Sequence, residues 1–319
     1  MRELVSILTP VRNGGAFLAV CLESIINQTY KNWELLIVDD NSQDDTWETI
    51  KQYSESDSRI LGFKNQGEGI LPALQTAYSH ATGTRITRMD ADDIMEPDKL
   101  ELLLESVTTG HVAVGFVNYF SDRGVGEGYK SYAAWLNDLT NLGKNFSDLY
   151  KECTIPSSCW MLDRQDFDGC GGIGNVYPED YDLAFRMKEY GLKVKPVKKV
   201  IHQWRDHDSR ASRNDDNYKD NRFLDLKVFH FLKQDRNENQ GLTLIGAGKK
   251  GKIISQLLSK NRVEFCWATN NPRKIGVNIH EKVLISENEI PDNSQLLIGV
   301  AGDEGAQLRV KYPNGYFFC

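Results

Sequence analysis

Short apolar runs that each end abruptly in a polar cluster constrain the fold of this chain more than any other feature. Leu4-Val5-Ser6-Ile7-Leu8-Thr9 stops at Pro10 and is followed by Val11-Arg12-Asn13. Glu34-Leu35-Leu36-Ile37-Val38 ends in Asp39-Asp40-Asn41-Ser42, and the run over 84–89 ends in Asp90-Ala91-Asp92-Asp93. Runs of this length bounded by turn residues read as buried strands. Between them, apolar residues recur at helical spacing: Phe17, Cys21 and Ile25 in the first interval, then a segment over 68–81. Ser42, three residues before Asp45, is expected to cap the helix that starts near Asp44. Alternating strand and helix patterns imply βαβ units around a largely parallel sheet, in which ligands bind at the carboxyl ends of the strands. The three polar clusters, distant in sequence, are therefore expected to converge.

Further along, Pro97 suits the first turn of a helix through Leu100, Leu103 and Leu104. Strands are expected over 112–117, 157–162 and 194–201, and Pro178-Glu179-Asp180 opens an amphipathic helix. The stretch 206–221 is polar and reads as a lid or a linker. A second polar run, 234–240, marks the domain boundary and gives domains of 1–233 and 241–319. The second domain opens with a strand, Gly246-x-Gly248-x-x-Gly251 and a helix, which is the dinucleotide-binding pattern. The following strand ends in Thr269-Asn270-Asn271 without the acidic residue that grips a ribose. A small Rossmann-like accessory domain is the expectation, with Lys249 and Lys250 placed to hold a phosphate.

Composition narrows the classes. The chain has 319 residues, 40% apolar and 26% charged, within ordinary globular usage. Its formal charge of −7 argues against nucleic-acid binding, which rests on clustered Lys and Arg. The basic run 193–199 reads as a solvated edge. No apolar stretch approaches the ~18–20 residues needed to span a bilayer, and no signal-peptide layout opens the chain, so a cytoplasmic location is expected. Six cysteines show neither zinc-site spacing nor a disulfide framework.

Asp90, Asp92 and Asp93 follow an apolar strand directly. Mg²⁺ and Mn²⁺ favour carboxylate and phosphate oxygens, so alternating carboxylates at a strand end suit a metal that also binds a diphosphate. A solvated acidic turn is the other reading of that segment.

Taken together, Val5-Ser6-Ile7-Leu8-Thr9-Pro10-Val11-Arg12-Asn13-Gly14, Ser24-Ile25-Ile26-Asn27-Gln28-Thr29-Tyr30, Glu34 to Ser42, Asn65-Gln66-Gly67 and Arg88-Met89-Asp90-Ala91-Asp92-Asp93 resemble, in order and spacing, the family 2 glycosyltransferases of the GT-A fold. The resemblance implies an α/β fold with a mainly parallel sheet between helices. It implies an inverting, metal-dependent enzyme that moves a sugar from a nucleotide-sugar donor, UDP-linked, to a hydroxyl of a glycan or lipid-linked acceptor. Such chemistry serves surface polysaccharide or glycoconjugate synthesis, and the resemblance allows peripheral association with the inner face of a membrane.

Residue by residue, the resemblance implies that Thr9, Pro10 and Arg12 line the nucleoside pocket, although many relatives carry an aromatic residue at the place of Val11. Asp40 would accept from a uracil-type imide, with Asp39 beside it. Asn65, Gly67, Arg88 and Ala91 would complete the donor site. Asp90 would approach the ribose or the metal, and Asp92 would be the main ligand of Mn²⁺ or Mg²⁺. Glu179-Asp180 looks like the acceptor-side acidic pair, with Asp180 as the base that takes the hydroxyl proton. His207, in a polar loop, is preferred to His202, at a strand end, for completing the metal shell. Trp204 is expected either to stack on a sugar or to be buried under the loop. Two other readings remain open: an NAD-linked oxidoreductase working through the C-terminal glycine loop, and a non-catalytic nucleotide-sugar-binding module.

Overall fold

The computed structural model describes residues 3–208, 210, 213 and 223–319. The chain divides into two compact units, Met1–Ser147 with Cys153–Arg210, and Asp148–Glu152 with Ala211–Cys319.

In the first unit the expected alternation is present. It runs β1 (Val5–Val11), α1 (Leu18–Ile26), β2 (Trp33–Asp39), α2 (Thr46–Ser56), β3 (Ile60–Lys64), α3 (Ile70–His80) and β4 (Arg85–Arg88). Next come β5 (Ile94–Met95), α4 (Lys99–Ser106), β6 (His111–Phe120), α5 (Glu127–Asn141), β7 (Trp160–Asp163), α6 (Arg164–Gly169), α7 (Glu179–Tyr190) and β8 (Lys193–Arg205). They build an eight-stranded sheet in the order β3-β2-β1-β4-β7-β6-β8-β5. β3, β2, β1 and β4 are mutually parallel, whereas β7 runs antiparallel to both β4 and β6. β2 is buried along its whole length, as a strand covered on both faces must be, which is why it reads as an almost unbroken apolar run. Leu18, Cys21, Leu22 and Ile25 of α1 pack against Ile7, Ile37 and Met95 in the main core.

Local chemistry sets several boundaries. Ser42 does not cap α2. Its hydroxyl accepts the Asn13 amide at 2.8 Å, and the Asp44 carboxylate accepts the Thr46 amide at 3.1 Å instead. α7 carries Glu179, Asp180 and Asp182 in its first turn, where the helix dipole favours anions. It ends at Gly191, whose φ of 88° is left-handed and suits a residue without Cβ. The helix α5 begins at Glu127, directly after Gly124 and Gly126, because Ala133 and Leu136 bury one face of it. Of the polar stretch 206–221, residues 209, 211, 212 and 214–221 lie outside the described residues.

The second unit contains α8 (Leu224–His230), β9 (Gly241–Ile245), α9 (Lys249–Lys260), β10 (Cys266–Thr269), β11 (Asn278–Ile279), β12 (Lys282–Ser286), β13 (Ser294–Ile298), α10 (Gly302–Lys311) and β14 (Tyr316–Phe317). Its sheet has the order β11-β12-β10-β9-β13-β14, parallel from β12 to β14. Two of the three motif glycines have clear steric reasons. Gly246 adopts a φ of 104°, and a Cβ on Gly251 would sit 2.0 Å from the Gly246 carbonyl oxygen. The helix 224–230 and the segment 148–152 belong to this unit. Lys227 is fully buried and donates to the Lys151 carbonyl at 2.9 Å, and Tyr150 stacks on Phe318.

Candidate active site

Because β1, β2 and β4 are parallel, their carboxyl ends lie on one edge of the sheet. The clusters after them are held to one another. Asn13 and Ser42 exchange the bond already noted, and the Gln43 amide donates to Asn13 Oδ1 at 2.8 Å. Asn13 and Asn41 both take left-handed φ values, 50° and 57°, which asparagine tolerates better than most residues.

Asp40 sits at the centre of a built cradle. Its carboxylate accepts the Gly69 amide at 2.9 Å and the Asn65 side-chain amide at 2.7 Å, while Asn65 in turn accepts the Gly67 amide at 3.1 Å. Arg12 lies 3.9 Å from the other Asp40 oxygen and is largely exposed, so that oxygen faces a solvent-exposed cation. Asp39 is different: it is fully buried, pairs with Lys64 at 2.6 Å and accepts the Ser42 amide at 3.2 Å. Thr9 is also fully buried, and its hydroxyl has no hydrogen-bond partner, while Pro10 is half-buried. Ala91 is buried among the core residues.

The acidic loop after β4 separates its three carboxylates into different environments. Asp90 is engaged on both oxygens, by Arg88 at 2.8 Å and by the Ser157 hydroxyl at 2.8 Å. Burial pushes the Asp90 carboxyl up, but Arg88 and Ser157 outweigh it and hold it down, at about 2. Asp93 is buried against His202 Nε2 at 2.9 Å and accepts the Arg205 amide at 2.8 Å. Burial and the Asp90 charge push Asp93 up to about 7. Asp92 is the most exposed of the three. Its Oδ2 lies 2.9 Å from His207 Nε2, and burial with the charges of Asp93 and Asp90 raises it. Phe17 packs on the His207 ring at 4.6 Å and lies under the Arg205 guanidinium, which donates to the Asp92 carbonyl at 2.8 Å.

Among the described residues, no three His, Cys, Asp or Glu side chains form a ready-made metal cluster. Asp92 and His207 are nevertheless a fitting donor pair for Mn²⁺ or Mg²⁺. The crowding that raises Asp92 is the field a cation relieves, and such ions commonly take one or two protein ligands and fill the rest from phosphate and water. Asp90 fits less well, since both its oxygens already have partners. His202 is wholly buried and joined to Asp93 and Lys99, and Trp204 is buried against Tyr119.

At the start of α7, Glu179 pairs with Arg88 at 2.7 Å, both side chains being less than 10% exposed. Arg88 thus bridges the acidic loop and the start of α7. Burial disfavours its charge, but Asp90 and Glu179 prevail and keep the guanidinium firmly ionised. Asp180, half-buried beside them, accepts the Tyr181 amide at 2.7 Å. Burial and the Glu179 charge raise it to about 7. Arg88, Glu179 and Asp180 line a partly open pocket with a cavity volume of about 20 Å³, room enough for a water. The bridging role of Arg88 and the contacts of Ser157 and Ser158 were not visible in the sequence, because their partners lie 67–91 residues away.

Residues 6–171, more than half of the chain, match the model of glycosyl transferase family 2. The chain belongs to that family. The Escherichia coli UDP-Glc:alpha-D-GlcNAc-diphosphoundecaprenol beta-1,3-glucosyltransferase WfaP is 31% identical over 219 residues, covering 66% of this chain and 81% of that protein. Six of eight curated relatives are matched over less than two thirds of their own length, down to 15%. In fold, the first 349 residues of S. aureus TarS, solved with UDP-GlcNAc, align over 82% of this chain and 72% of theirs, with a TM-score of 0.56 at 15% identity. The mannosyltransferase PcManGT from Pyrobaculum calidifontis, solved with GDP-Man and Mn2+, aligns over 81% and 69% with a TM-score of 0.53 at 18% identity. The α/β architecture with a large, mainly parallel sheet is that of the GT-A glycosyltransferases. Among the described residues no helix is long and apolar enough to cross a membrane.

Proposed function

We propose that this family 2 enzyme is an inverting glycosyltransferase that moves a sugar from a UDP-linked donor to a hydroxyl of a lipid-linked or glycan acceptor. The observation that carries the reading is the arrangement around Arg88. This one buried guanidinium ties the carboxylate loop of the donor side to the acidic pair of the acceptor side. Two chemistries that a transfer reaction needs are thereby held together.

The donor's base and ribose would lie over Asp40 and the 65–69 loop, with Arg12 closing the edge. Asp92 and His207 would hold Mn²⁺ or Mg²⁺, which supplies neutralising charge to the diphosphate when bound. Asp180, in its unprotonated form, accepts the proton of the acceptor hydroxyl. The freed oxygen attacks the anomeric carbon from the face opposite the diphosphate, and the bond from that carbon to the phosphate oxygen breaks. Glu179 stays paired with Arg88 and raises Asp180 into the range where a base works near neutral pH. The donor named for the E. coli relative and the UDP-GlcNAc bound in TarS support a UDP-sugar, and the relative's diphosphoundecaprenol acceptor supports a lipid-linked one. We place the enzyme at the inner face of the membrane on the same grounds, with the first compact unit as the catalytic domain and the second, which includes 148–152 and 224–230, as the accessory domain.

A screen of nucleotide sugars with Mn²⁺ or Mg²⁺ tests this reading, with nucleoside diphosphate release as readout. Turnover with a UDP-sugar is expected. Turnover restricted to GDP- or CMP-linked donors would overturn the assignment of the base.

A further inference from the structure

Lys99 opens α4 and is wholly buried. Neither propensity nor packing calls for a lysine there. The positive end of the helix dipole disfavours a cation in the first turn, and burial disfavours its charge, so the Lys99 ammonium is pushed down. Its partners explain the position. Nζ donates to the Ser158 carbonyl at 2.5 Å and faces His202 Nδ1 at 3.3 Å. With Nδ1 accepting, the imidazole carries its proton on Nε2, which donates to Asp93 at 2.9 Å. The other Asp93 oxygen accepts the Arg205 amide. A continuous chain therefore runs Ser158, Lys99, His202, Asp93, Arg205. Both of its ends return to the acidic loop: the Ser158 hydroxyl accepts the Asp90 amide at 3.1 Å, and Arg205 Nε donates to the Asp92 carbonyl at 2.8 Å. Asp92 itself carries the second anchor, two residues after the first.

We propose that Lys99 is a positioning residue for donor binding, which fixes the proton of His202 on Nε2 and through Asp93 holds the acidic loop so that Asp92 faces His207. The inference rests on the reading of Asp92 and His207 as the cation-holding pair. Lys99 touches neither donor nor cation, and it acts through His202 and the loop. Groups that orient a metal ligand from behind typically change metal affinity or activity by about 10–100-fold when removed.

Calorimetry of UDP binding to the full chain, titrated over Mn²⁺ concentration, tests this. Lys99→Met, of similar shape, is expected to raise the Mn²⁺ concentration for half-maximal UDP binding by about 10–100-fold, in a protein that still melts cooperatively but at a lower temperature, since the buried Ser158 carbonyl and His202 Nδ1 lose their donor. Asp92→Asn in the same assay separates the two levels of the account. If Asp92→Asn loses the Mn²⁺ dependence while Lys99→Met keeps the original value, the Lys99 proposal is overturned and the donor-site reading stands. If Asp92→Asn keeps the dependence, the donor-site reading falls and the Lys99 role with it. Nitrogen-15 NMR of His202 in the unsubstituted protein gives a second readout that does not depend on the variant folding. A protonated Nε2 with bare Nδ1 is expected, and a protonated Nδ1 would overturn the proposal.

Discussion

Replacing Arg88 by Met keeps the aliphatic stem and deletes the one charge that Asp90 and Glu179 share. Asp90 loses contacts at 2.8 and 3.0 Å and Glu179 loses one at 2.7 Å. The Asp90 side chain is 24% exposed and that of Glu179 only 8%, so water restores little of the lost solvation. Removing one partner from a buried ion pair costs about 3–5 kcal/mol. For a unit of this size that lowers the melting temperature by about 6–20 °C, at ~2–4 °C per kcal/mol. The loss also has a pH signature. In the unsubstituted protein the depressed Asp90 contributes stability that is present above its unfolded value of about 4, and that is lost as pH falls through about 2. In Arg88→Met, burial without the Arg88 counter-charge pushes the Asp90 carboxyl up, so the variant recovers stability by taking up a proton as pH falls from 7.5 to 5. The gap between the two proteins should therefore be widest near pH 7.5 and narrower at pH 5. Urea unfolding followed by circular dichroism at both values measures it. A gap under about 1 kcal/mol at pH 7.5, or one that does not change with pH, would refute the bridging role.

Other outcomes follow from the same geometry. Asp180→Asn should lower the transfer rate by about 10²–10⁴-fold while leaving UDP affinity unchanged, and the unsubstituted enzyme's rate should rise with pH through about 7, where Asp180 loses its proton. Glu179→Gln removes a charge that raises Asp180 and should move that rising limb to lower pH in a stopped pH–rate series. Asp40→Ala frees the Asn65 and Gly69 donors and should weaken UDP binding about tenfold or more by calorimetry. In the second unit, Gly251→Ala drives a Cβ to 2.0 Å from a backbone oxygen and should destabilise that unit by about 1–3 kcal/mol. Gly248→Ala, with open space around its Cβ, should be nearly silent in the same melt.

The parts of the fold written in local pattern were legible in the sequence. Buried parallel strands such as 33–39 are apolar over most of their length, and the strand ends must be polar where the chain turns, so both signals survive in a single sequence. The antiparallel direction of β7 was not legible, because strand direction depends on where the chain has travelled and leaves no mark in a four-residue apolar run. Ser42 shows a related failure. A serine three residues before an acid is a capping pattern, yet here the hydroxyl ties two strand ends together, a contact 29 residues away in sequence. At the site, residue types located the carboxylates, and packing decided what each does. Asp39, Asp90 and Asp93 look like Asp40 and Asp92 in the sequence, but they are engaged by Lys64, Arg88 and His202. Lys99 was read only as part of a helix, since nothing in its spacing reveals that it faces inward.

On the proposed reading, Asp92 holds the cation on which donor turnover depends. Purified chain and its Asp92→Asn variant, both checked for native melting, are given a UDP-sugar with Mn²⁺ or with a chelator, and UDP release is followed. Turnover that requires Mn²⁺ in the unsubstituted protein and is absent in the variant is the predicted result. Near-normal turnover in Asp92→Asn, or turnover indifferent to the chelator, would contradict it.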